Sequence, residues 1–195
     1  MMKKRKIIIG ISGASGTIYG VRLLETLQTY SEIETHLVIS DIAKEIIKHE
    51  DGRDPEKVLE LADIVHPIKN LGAAISSGSF LTEGMIIAPC SIKSLSGIAN
   101  SYNDNLLVRA ADVCLKERRK VIIVLRETPL HLGHLELMTR VTQYGATLLP
   151  PMPSFYHKPK TIDDIINQTV GKVLDNFGIE HNLFTRWSEK TANRK

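Results

Sequence analysis

Short apolar runs of strand length recur along the chain. They span residues 6–12, 34–39, 84–88, 121–125 and 146–149, and most of their positions are apolar. A strand that is apolar on both of its sides is typical of a parallel sheet covered on both faces. We therefore predict that these runs are the buried strands of one sheet.

Amphipathic stretches of helical length lie between the runs. They cover residues 17–28, 41–49, 91–99, 106–117, 130–143 and 162–177, and Asp54 followed by Pro55 predicts a further short helix over 55–61. Strands that alternate with helices are joined by right-handed crossovers. The pattern therefore predicts an α/β fold in three layers, an open parallel sheet with helices on both faces.

Two segments lack either pattern. Residues 70–82 contain Gly72 and Gly78 among several serines and predict a loop, and the prolines in 150–156 prevent both a helix and a central strand. No repeat or flexible spacer interrupts the chain, whose 195 residues match the size of one ordinary domain. We expect a single domain over 1–195, with an irregular tail from about residue 178.

The composition excludes several classes of protein. Apolar residues make up 43% and charged residues 24% of the chain, which is the balance of a soluble globular protein. The net charge of +3 lies largely in the basic ends, at residues 3–6 and 194–195. Because neither a continuous basic stripe nor aromatic residues spaced for base stacking are present, we expect no nucleic-acid partner.

The cysteines and the amino-terminal residues indicate the compartment. Cys90 and Cys114 each lie inside an apolar segment rather than in a spaced disulfide framework, which fits a reducing compartment. The apolar run after the basic start is too short for a signal peptide or a membrane span. We expect a cytoplasmic protein without a membrane partner.

A glycine-rich turn follows the first predicted strand and opens the first predicted helix. Its sequence is GISGASG over residues 10–16, and small residues followed by free helix N–H groups bind anions. The spacing differs from that of dinucleotide-binding and P-loop motifs. A mononucleotide such as FMN fits this spacing better, and the alternative is a tight turn without a ligand.

A second turn of this kind lies after the central strand. Its sequence APCSIKS covers residues 88–94, and Ser91, Lys93 and Ser94 would present hydroxyl groups and an ammonium beside the first turn. The alternative is that Ser91 only caps a helix and Cys90 is a small buried hydrophobic residue. Because Ser40 also ends a predicted strand, we expect a polar rim along one edge of the sheet.

A third set of residues is suited to binding a phosphate group, because it contains cations that donate hydrogen bonds. Glu127 and Tyr156 accompany these cations. Its cations are Arg109, Lys116, Arg126 and Lys172. On an amphipathic helix, Arg109 and Lys116 are explained equally well as solvated surface charges. His131 and His134 lack the further ligands that a zinc site needs, so we expect no metal.

Several segments together resemble the UbiX-type flavin prenyltransferases, a family formerly described as decarboxylases. The matching segments are GASG at 13–16, PCS at 89–91, residues 105–119, RETP at 126–129 and FYH at 155–157. The resemblance covers nearly the whole chain and rests on the order and spacing of these segments. It implies a Rossmann-like, flavodoxin-like flavoprotein.

The resemblance also implies the site residues. The FMN contacts would be Gly13, Ala14, Ser15, Ser40, Ser77, Ser91, Ile92, Lys93, Ser94 and Arg109. The phosphate of dimethylallyl monophosphate would meet Lys116, Arg126, Glu127, Tyr156 and Lys172. Ser15, Glu50, Glu127 and Trp187 would act in catalysis.

The implied activity transfers a dimethylallyl group to N5 and C6 of reduced FMN without a metal. The product would serve a UbiD-type decarboxylase, and the enzyme would form a homododecamer with sites at subunit junctions. Two alternatives remain open, an FMN-dependent decarboxylase of the cysteine-decarboxylase type and a module that only stores flavin. The first typically carries an asparagine-methionine motif that this sequence lacks, and the second does not need Arg126 and Glu127.

Overall fold

The structure is a computed structural model that describes residues 4–187. The chain divides into two compact units, Met1–Pro150 and Pro151–Lys195. Over residues 4–187, no helix is both long and apolar enough to cross a membrane. The single-domain prediction stays a prediction.

The first unit alternates strands and helices along almost its whole length. Its elements are β1 (Arg5–Ile11), α1 (Ile18–Leu27), β2 (Ile33–Ile39), α2 (Asp41–Glu50), α3 (Pro55–Leu59), β3 (Ile64–His66), a 3-10 helix (Ala74–Ser76), β4 (Gly84–Cys90), α4 (Ile92–Ala99), α5 (Leu106–Lys116), β5 (Lys120–Leu125), α6 (Leu132–Gln143) and β6 (Thr147–Leu148). The second unit contains α7 (Ile162–Asn176), which begins with a capping box between Thr161 and Asp164.

All strands lie in one parallel sheet in the order β3-β2-β1-β4-β5-β6. The chain moves away from β1 in one direction through β2 and β3, and in the other through β4, β5 and β6. The tips of β1 and β4 therefore form the switch point at which sheets of this kind bind ligands. Without the short edge strand β3, the order is that of a flavodoxin-like fold.

The two faces of the sheet are covered by different helices. Ile8, Met85 and Ile123 belong to a buried cluster that also contains the apolar residues of α4 and α5. On the other face, Gly20 of α1 packs so closely that a Cβ atom would lie 2.2 Å from the Ala88 carbonyl oxygen and 2.8 Å from the Ile11 side chain. Because side chains alternate along a strand, both faces are buried, as the apolar runs predicted.

The sequence pattern did not predict β3, and it predicted other elements to be longer than they are. Ile64 and Val65 are 40% and 38% exposed, so this edge strand lacks the apolar run of a buried strand. β6 is only Thr147–Leu148, and α3 ends at Leu59 rather than at residue 61. The predicted loop over 70–82 contains the 3-10 helix Ala74–Ser76.

Polar side chains attach β3 to β2. His36 Nδ1 lies 3.0 Å from His66 Nε2, and His36 Nε2 lies 3.0 Å from Glu34 Oε1. His36 is 1% exposed. Burial is the main cause that lowers the pKa of His36; Lys6 lowers this pKa further, whereas Glu34 raises it. Burial also lowers the pKa of His66, followed by the effect of His36. The edge strand is therefore held by a histidine pair that favours its neutral state.

The stability of the protein should fall as the pH drops below the ordinary histidine pKa of 6.5. The unfolded chain then binds a proton that the folded His36 resists, so the free energy of unfolding decreases with decreasing pH. His36→Gln should flatten this dependence between about pH 7.5 and 5.5, a range that lies above most carboxylate titrations. Urea titrations followed by circular dichroism measure the slope. His49→Gln, an exposed histidine on α2, is the control, and an equal flattening there would contradict the assignment.

Candidate functional site

Ser12 joins the tips of β1 and β4 at the switch point. Its N–H and its hydroxyl group both donate to the Pro89 carbonyl, at 3.1 and 3.0 Å, and its Oγ accepts the Ser91 N–H at 2.7 Å. The side chain is 1% exposed. The glycine-rich turn and the turn after β4 are thus held against each other by the backbone N–H and the hydroxyl group of one buried serine.

The neighbouring strand tips are joined by backbone hydrogen bonds. The Ser40 N–H donates to the Ile11 carbonyl at 3.0 Å, and the Arg126 N–H donates to the Cys90 carbonyl at 3.1 Å. The tips of β2, β1, β4 and β5 therefore lie side by side. Their small polar residues form the rim that the sequence predicted.

A cavity of about 700 Å³ opens beside these tips, which is a typical volume for a site that takes one small organic ligand. We call it the switch-point cavity. Of the predicted site residues, its lining contains Gly13, Ala14, Ser15, Ser40, Ser91, Ile92, Lys93, Ser94, Arg126 and Glu127. It also contains Asp41, Ile42, Ile46, Ile68, Lys69, Asp104, Asn105 and Leu107, which the sequence did not indicate.

Two serines of the cavity lining cap helices. Ser40 caps α2 by accepting the Ala43 N–H at 3.2 Å, and Ser91 caps α4 by accepting the Ser94 N–H at 3.3 Å. The positive ends of the helix dipoles therefore face the cavity, where they favour an anion. Ser91 acts as the predicted helix cap and also lines the cavity, so the two interpretations of this residue are compatible.

Apolar side chains form another part of the lining. Ile42 is 55% exposed, although it lies on a helix with a buried face. A Cβ atom at Gly13 would lie 2.7 Å from Ile42 Cγ2, so only glycine leaves the Ile42 side chain where it is. With Ile46, Ile68 and Leu107, Ile42 provides an apolar surface suited to a planar ring system.

The cations of the cavity differ in their partners. The Arg126 guanidinium has no hydrogen-bond or ion-pair partner in the part of the chain that the structure describes, whereas its backbone N–H is bonded. Lys93 Nζ lies 2.8 Å from Asp104 Oδ2. Glu127 Oε1 accepts the Thr128 N–H at 3.0 Å. An open guanidinium near helix N-termini is suited to binding a phosphate group.

Other predicted residues lie outside the cavity lining. Arg109 donates to the Ser76 carbonyl at 3.2 Å and pairs with Asp112 at 3.0 Å. Lys116 forms an ion pair with Glu117 and borders a separate hollow. Ser77 Oγ is hydrogen-bonded to Ser79 Oγ at 2.8 Å. Within one copy of the chain, these side chains are engaged with their neighbours instead of with the cavity.

Glu50 supports the glycine-rich turn from outside the lining. Its Oε2 accepts the Gly16 N–H at 2.8 Å, at a glycine whose φ of +89° few other residues adopt. The buried Thr17 hydroxyl oxygen, one residue later, has no hydrogen-bond partner within residues 4–187. The carboxylate of Glu50 thus already holds one N–H of the turn.

Cys90 behaves as a packing residue. Its side chain is fully buried, and burial raises the pKa of the thiol. A thiol in this state stays protonated and is a poor nucleophile. In residues 4–187, no group of three or more His, Cys, Asp or Glu residues is arranged to hold a metal ion.

The remaining predicted residues belong to the second unit. The rings of Tyr156 and Trp187 meet edge to face at 5.8 Å between centroids. Lys172 Nζ lies 3.5 Å from Asp175 Oδ2, and Asp175 also binds Arg186. Hydrogen bonds from Arg186 are the main cause that lowers the Asp175 pKa. The roles of Tyr156, Lys172 and Trp187 stay predictions.

Ser12→Ala should destabilise the protein and weaken flavin binding together. The substitution leaves the Ser91 N–H without its acceptor, which costs about 1–3 kcal/mol of unfolding free energy, and it loosens the two turns. Urea titration and the dissociation constant of FMN measure the effects. Ser31→Ala, at an exposed serine after α1, is the control and should change neither. Unaltered FMN binding in Ser12→Ala would contradict the role of this hydroxyl group.

Comparisons with known proteins agree with the geometry of the cavity. A protein-family model described as Flavoprotein matches residues 1–174. The flavin prenyltransferase UbiX of Thauera aromatica is 61% identical over 183 residues, which cover 94% of this chain and 94% of that protein. The crystal structure of AnUbiX (PadA1) in complex with FMN and dimethylallyl pyrophosphate has a TM-score of 0.93 at 45% identity, and covers 95% of this chain and 98% of that one.

Two further structures extend the comparison. A dodecameric FMN-dependent UbiX-like decarboxylase from Escherichia coli O157:H7 has a TM-score of 0.92 at 48% identity, covering 94% of this chain and 99% of that one. The peptidyl-cysteine decarboxylase EpiD has a TM-score of 0.59 at 16% identity over 77% of this chain and 83% of that one, a likeness of fold alone. The chain therefore belongs to the flavin prenyltransferase family of flavoproteins.

Proposed function

We propose that this protein transfers the dimethylallyl group of dimethylallyl monophosphate to reduced FMN. The observation that carries the proposal is the switch-point cavity, which combines helix N-termini and the open guanidinium of Arg126 with an apolar wall. A flavin nucleotide needs both kinds of surface, because it joins a dianionic phosphate to a planar ring. Membership of the flavin prenyltransferase family identifies the reaction.

The flavin would bind with its phosphate at the strand tips. The N–H groups of Gly13 and Ser15 and those at the starts of α2 and α4 would donate to the phosphate oxygens, while the Ala14 N–H donates to the Ser12 carbonyl. Ile42 and its apolar neighbours would contact the ring system. Arg126 would reach the second phosphate, that of the prenyl donor, because its side chain leaves β5 at the same edge and has no other partner within residues 4–187.

The complete site would be assembled from more than one copy of the chain. Arg109, Lys116 and Ser77 lie outside the cavity lining of their own subunit, although the family resemblance assigns them to flavin and donor binding. A neighbouring subunit would supply such residues, which agrees with the dodecameric relative. We therefore propose that this protein forms a dodecamer whose sites lie at subunit junctions.

In the proposed reaction, the allylic C–O bond breaks, phosphate leaves, and the five-carbon unit forms bonds to N5 and C6 of the flavin as a proton is released. Arg126 would stabilise the charge that develops on the leaving phosphate. Glu127, the next residue, would give a proton to that phosphate, and Glu50 would accept one beside the glycine-rich turn. The apolar wall would exclude water from the reacting carbon atoms.

The proposal also covers the cellular setting. The product keeps the phosphate of FMN and would be passed to a UbiD-type decarboxylase as its cofactor. We further propose a cytoplasmic location, which agrees with the lack of a membrane-spanning helix among residues 4–187. The monophosphate donor is proposed for this protein, while the AnUbiX structure contains the pyrophosphate.

Anaerobic mixing of the protein with reduced FMN and dimethylallyl monophosphate should convert the flavin. We expect a product whose mass exceeds that of reduced FMN by one C5H8 unit, together with one equivalent of inorganic phosphate. Mass spectrometry and a phosphate assay measure both. Omission of the donor is the control. A flavin of unchanged mass and spectrum would overturn the proposed activity.

Glu127→Gln and Glu50→Gln should slow prenyl transfer in a single turnover. A glutamine keeps the shape of the side chain but neither gives nor accepts the proton, and general acid-base groups contribute about 10²- to 10⁴-fold. Rapid anaerobic mixing with excess enzyme measures the rate. Glu45→Gln, an exposed position on α2, is the control for both. Rates equal to those of the parent would remove the two assignments.

A further inference from the structure

An ion pair stands in the lining of the switch-point cavity. Lys93 Nζ lies 2.8 Å from Asp104 Oδ2, and both residues line the cavity. The Lys93 side chain is 71% exposed, whereas that of Asp104 is 30% exposed. The carboxylate is thus the more enclosed partner, and the lysine is the one with freedom to move.

Asp104 is held in place by its neighbours. Its Oδ1 accepts the Asn105 side-chain amide at 2.6 Å, and its own N–H donates to the Tyr102 carbonyl at 3.0 Å. Asn105 in turn caps α5, since its Oδ1 accepts the Val108 N–H at 3.1 Å. The carboxylate is therefore fixed by the start of a buried helix, with one oxygen turned to Lys93.

A fixed carboxylate is unexpected beside a cavity that attracts a dianion. It repels the phosphate group and also neutralises the ammonium group that would otherwise bind that phosphate. The lining contains the carboxylates of Asp41 and Glu127 as well, and the cations Lys69 and Arg126. Of these, Asp104 is the carboxylate that pairs with a predicted flavin contact within residues 4–187.

We propose that Asp104 is a positioning residue that competes with the flavin phosphate for Lys93. Without a ligand, the lysine stays on Asp104, and when the flavin binds, its ammonium group turns to the phosphate. The competition keeps the affinity for the flavin moderate. The inference rests on the proposed function, because an enzyme that consumes FMN must also release a product that carries the same phosphate.

The strength of the pair suits such an exchange. An exposed ion pair contributes little to stability and is easily broken. A dianionic phosphate at helix N-termini is a stronger partner for the ammonium group than one carboxylate with a single negative charge. The flavin-bound state is therefore favoured, but by less than it would be if Lys93 had no carboxylate partner in the unbound state.

The first test compares two flavins. Asp104→Asn keeps the acceptor oxygen for Asn105 but removes the charge, and we expect the dissociation constant of FMN to fall roughly two- to tenfold. The dissociation constant of riboflavin, which lacks the phosphate, should stay unchanged. The increase in FMN affinity caused by Asp104→Asn should be smaller at high salt concentration. Flavin fluorescence titrations of the apoprotein give these values.

The matched control is Glu60→Gln. Glu60 pairs with Lys57 at 2.9 Å, and Lys57 has the same 71% exposure as Lys93, so this variant removes a similar ion pair away from the cavity and should leave both affinities unchanged. Asp104→Ser is the second variant should the asparagine variant misfold. Equal changes for FMN and riboflavin, or weaker FMN binding, would overturn the proposal.

The second test separates competition from simple repulsion. In the Lys93→Gln background, Asp104→Asn should gain much less FMN affinity than in the parent, because the contested group is gone. An equal gain in both backgrounds would overturn the competition.

In the parent background, the ratio of the steady-state rate to the single-turnover rate should fall in Asp104→Asn as product release slows, and an unchanged ratio would overturn the role in release. Failure of the parent to prenylate FMN would overturn the proposed function while leaving the binding results valid.

Discussion

The structure depends on the junction between β1 and β4, which Ser12 maintains. Beyond the ladder that pairs Ile7–Gly10 of β1 with Gly84–Ile87 of β4, the tips of the two strands are joined by contacts between the turns that follow them. Ser12 provides these contacts, because its backbone N–H and its hydroxyl group donate to Pro89 and its hydroxyl oxygen accepts from Ser91. Both turns therefore keep their relative positions without a ligand, and such preorganisation lowers the free-energy cost of binding.

The same junction explains why the cavity has two kinds of wall. The strand tips end in helix caps, which supply N–H groups for an anion, whereas α2 turns Ile42 and Ile46 into the cavity. Gly13 belongs to both walls, since its missing side chain leaves room for Ile42 while its backbone lies in the turn. A nucleotide with a planar ring is the ligand that uses both surfaces at once.

The sequence predicted the fold because its main determinant is local. Apolar runs at β1, β2, β4 and β5 are long enough to be read without the structure, and their alternation with helices specifies a parallel sheet. β3 was not predicted, because this strand is short and half-exposed at Ile64 and Val65, and it pairs with a strand that lies far away in sequence, with an added contact between His36 and His66. Edge strands of this kind carry no periodic signal.

The site was predictable to the extent that it lies on strand tips. Ser40 and Ser91 follow strands directly, whereas Asp104 and Ile68 reach the cavity from loops whose course the sequence does not specify. For Arg109 and Lys116, by contrast, the sequence named the residues but could not decide their role. Their helical spacing leaves them equally suited to surface and site, and within one chain they pair with Asp112 and Glu117. These pairings depend on side-chain geometry at α5 and its C-terminal end, which helical spacing in the sequence does not specify, so the sequence could not tell whether either cation reaches the cavity of its own chain.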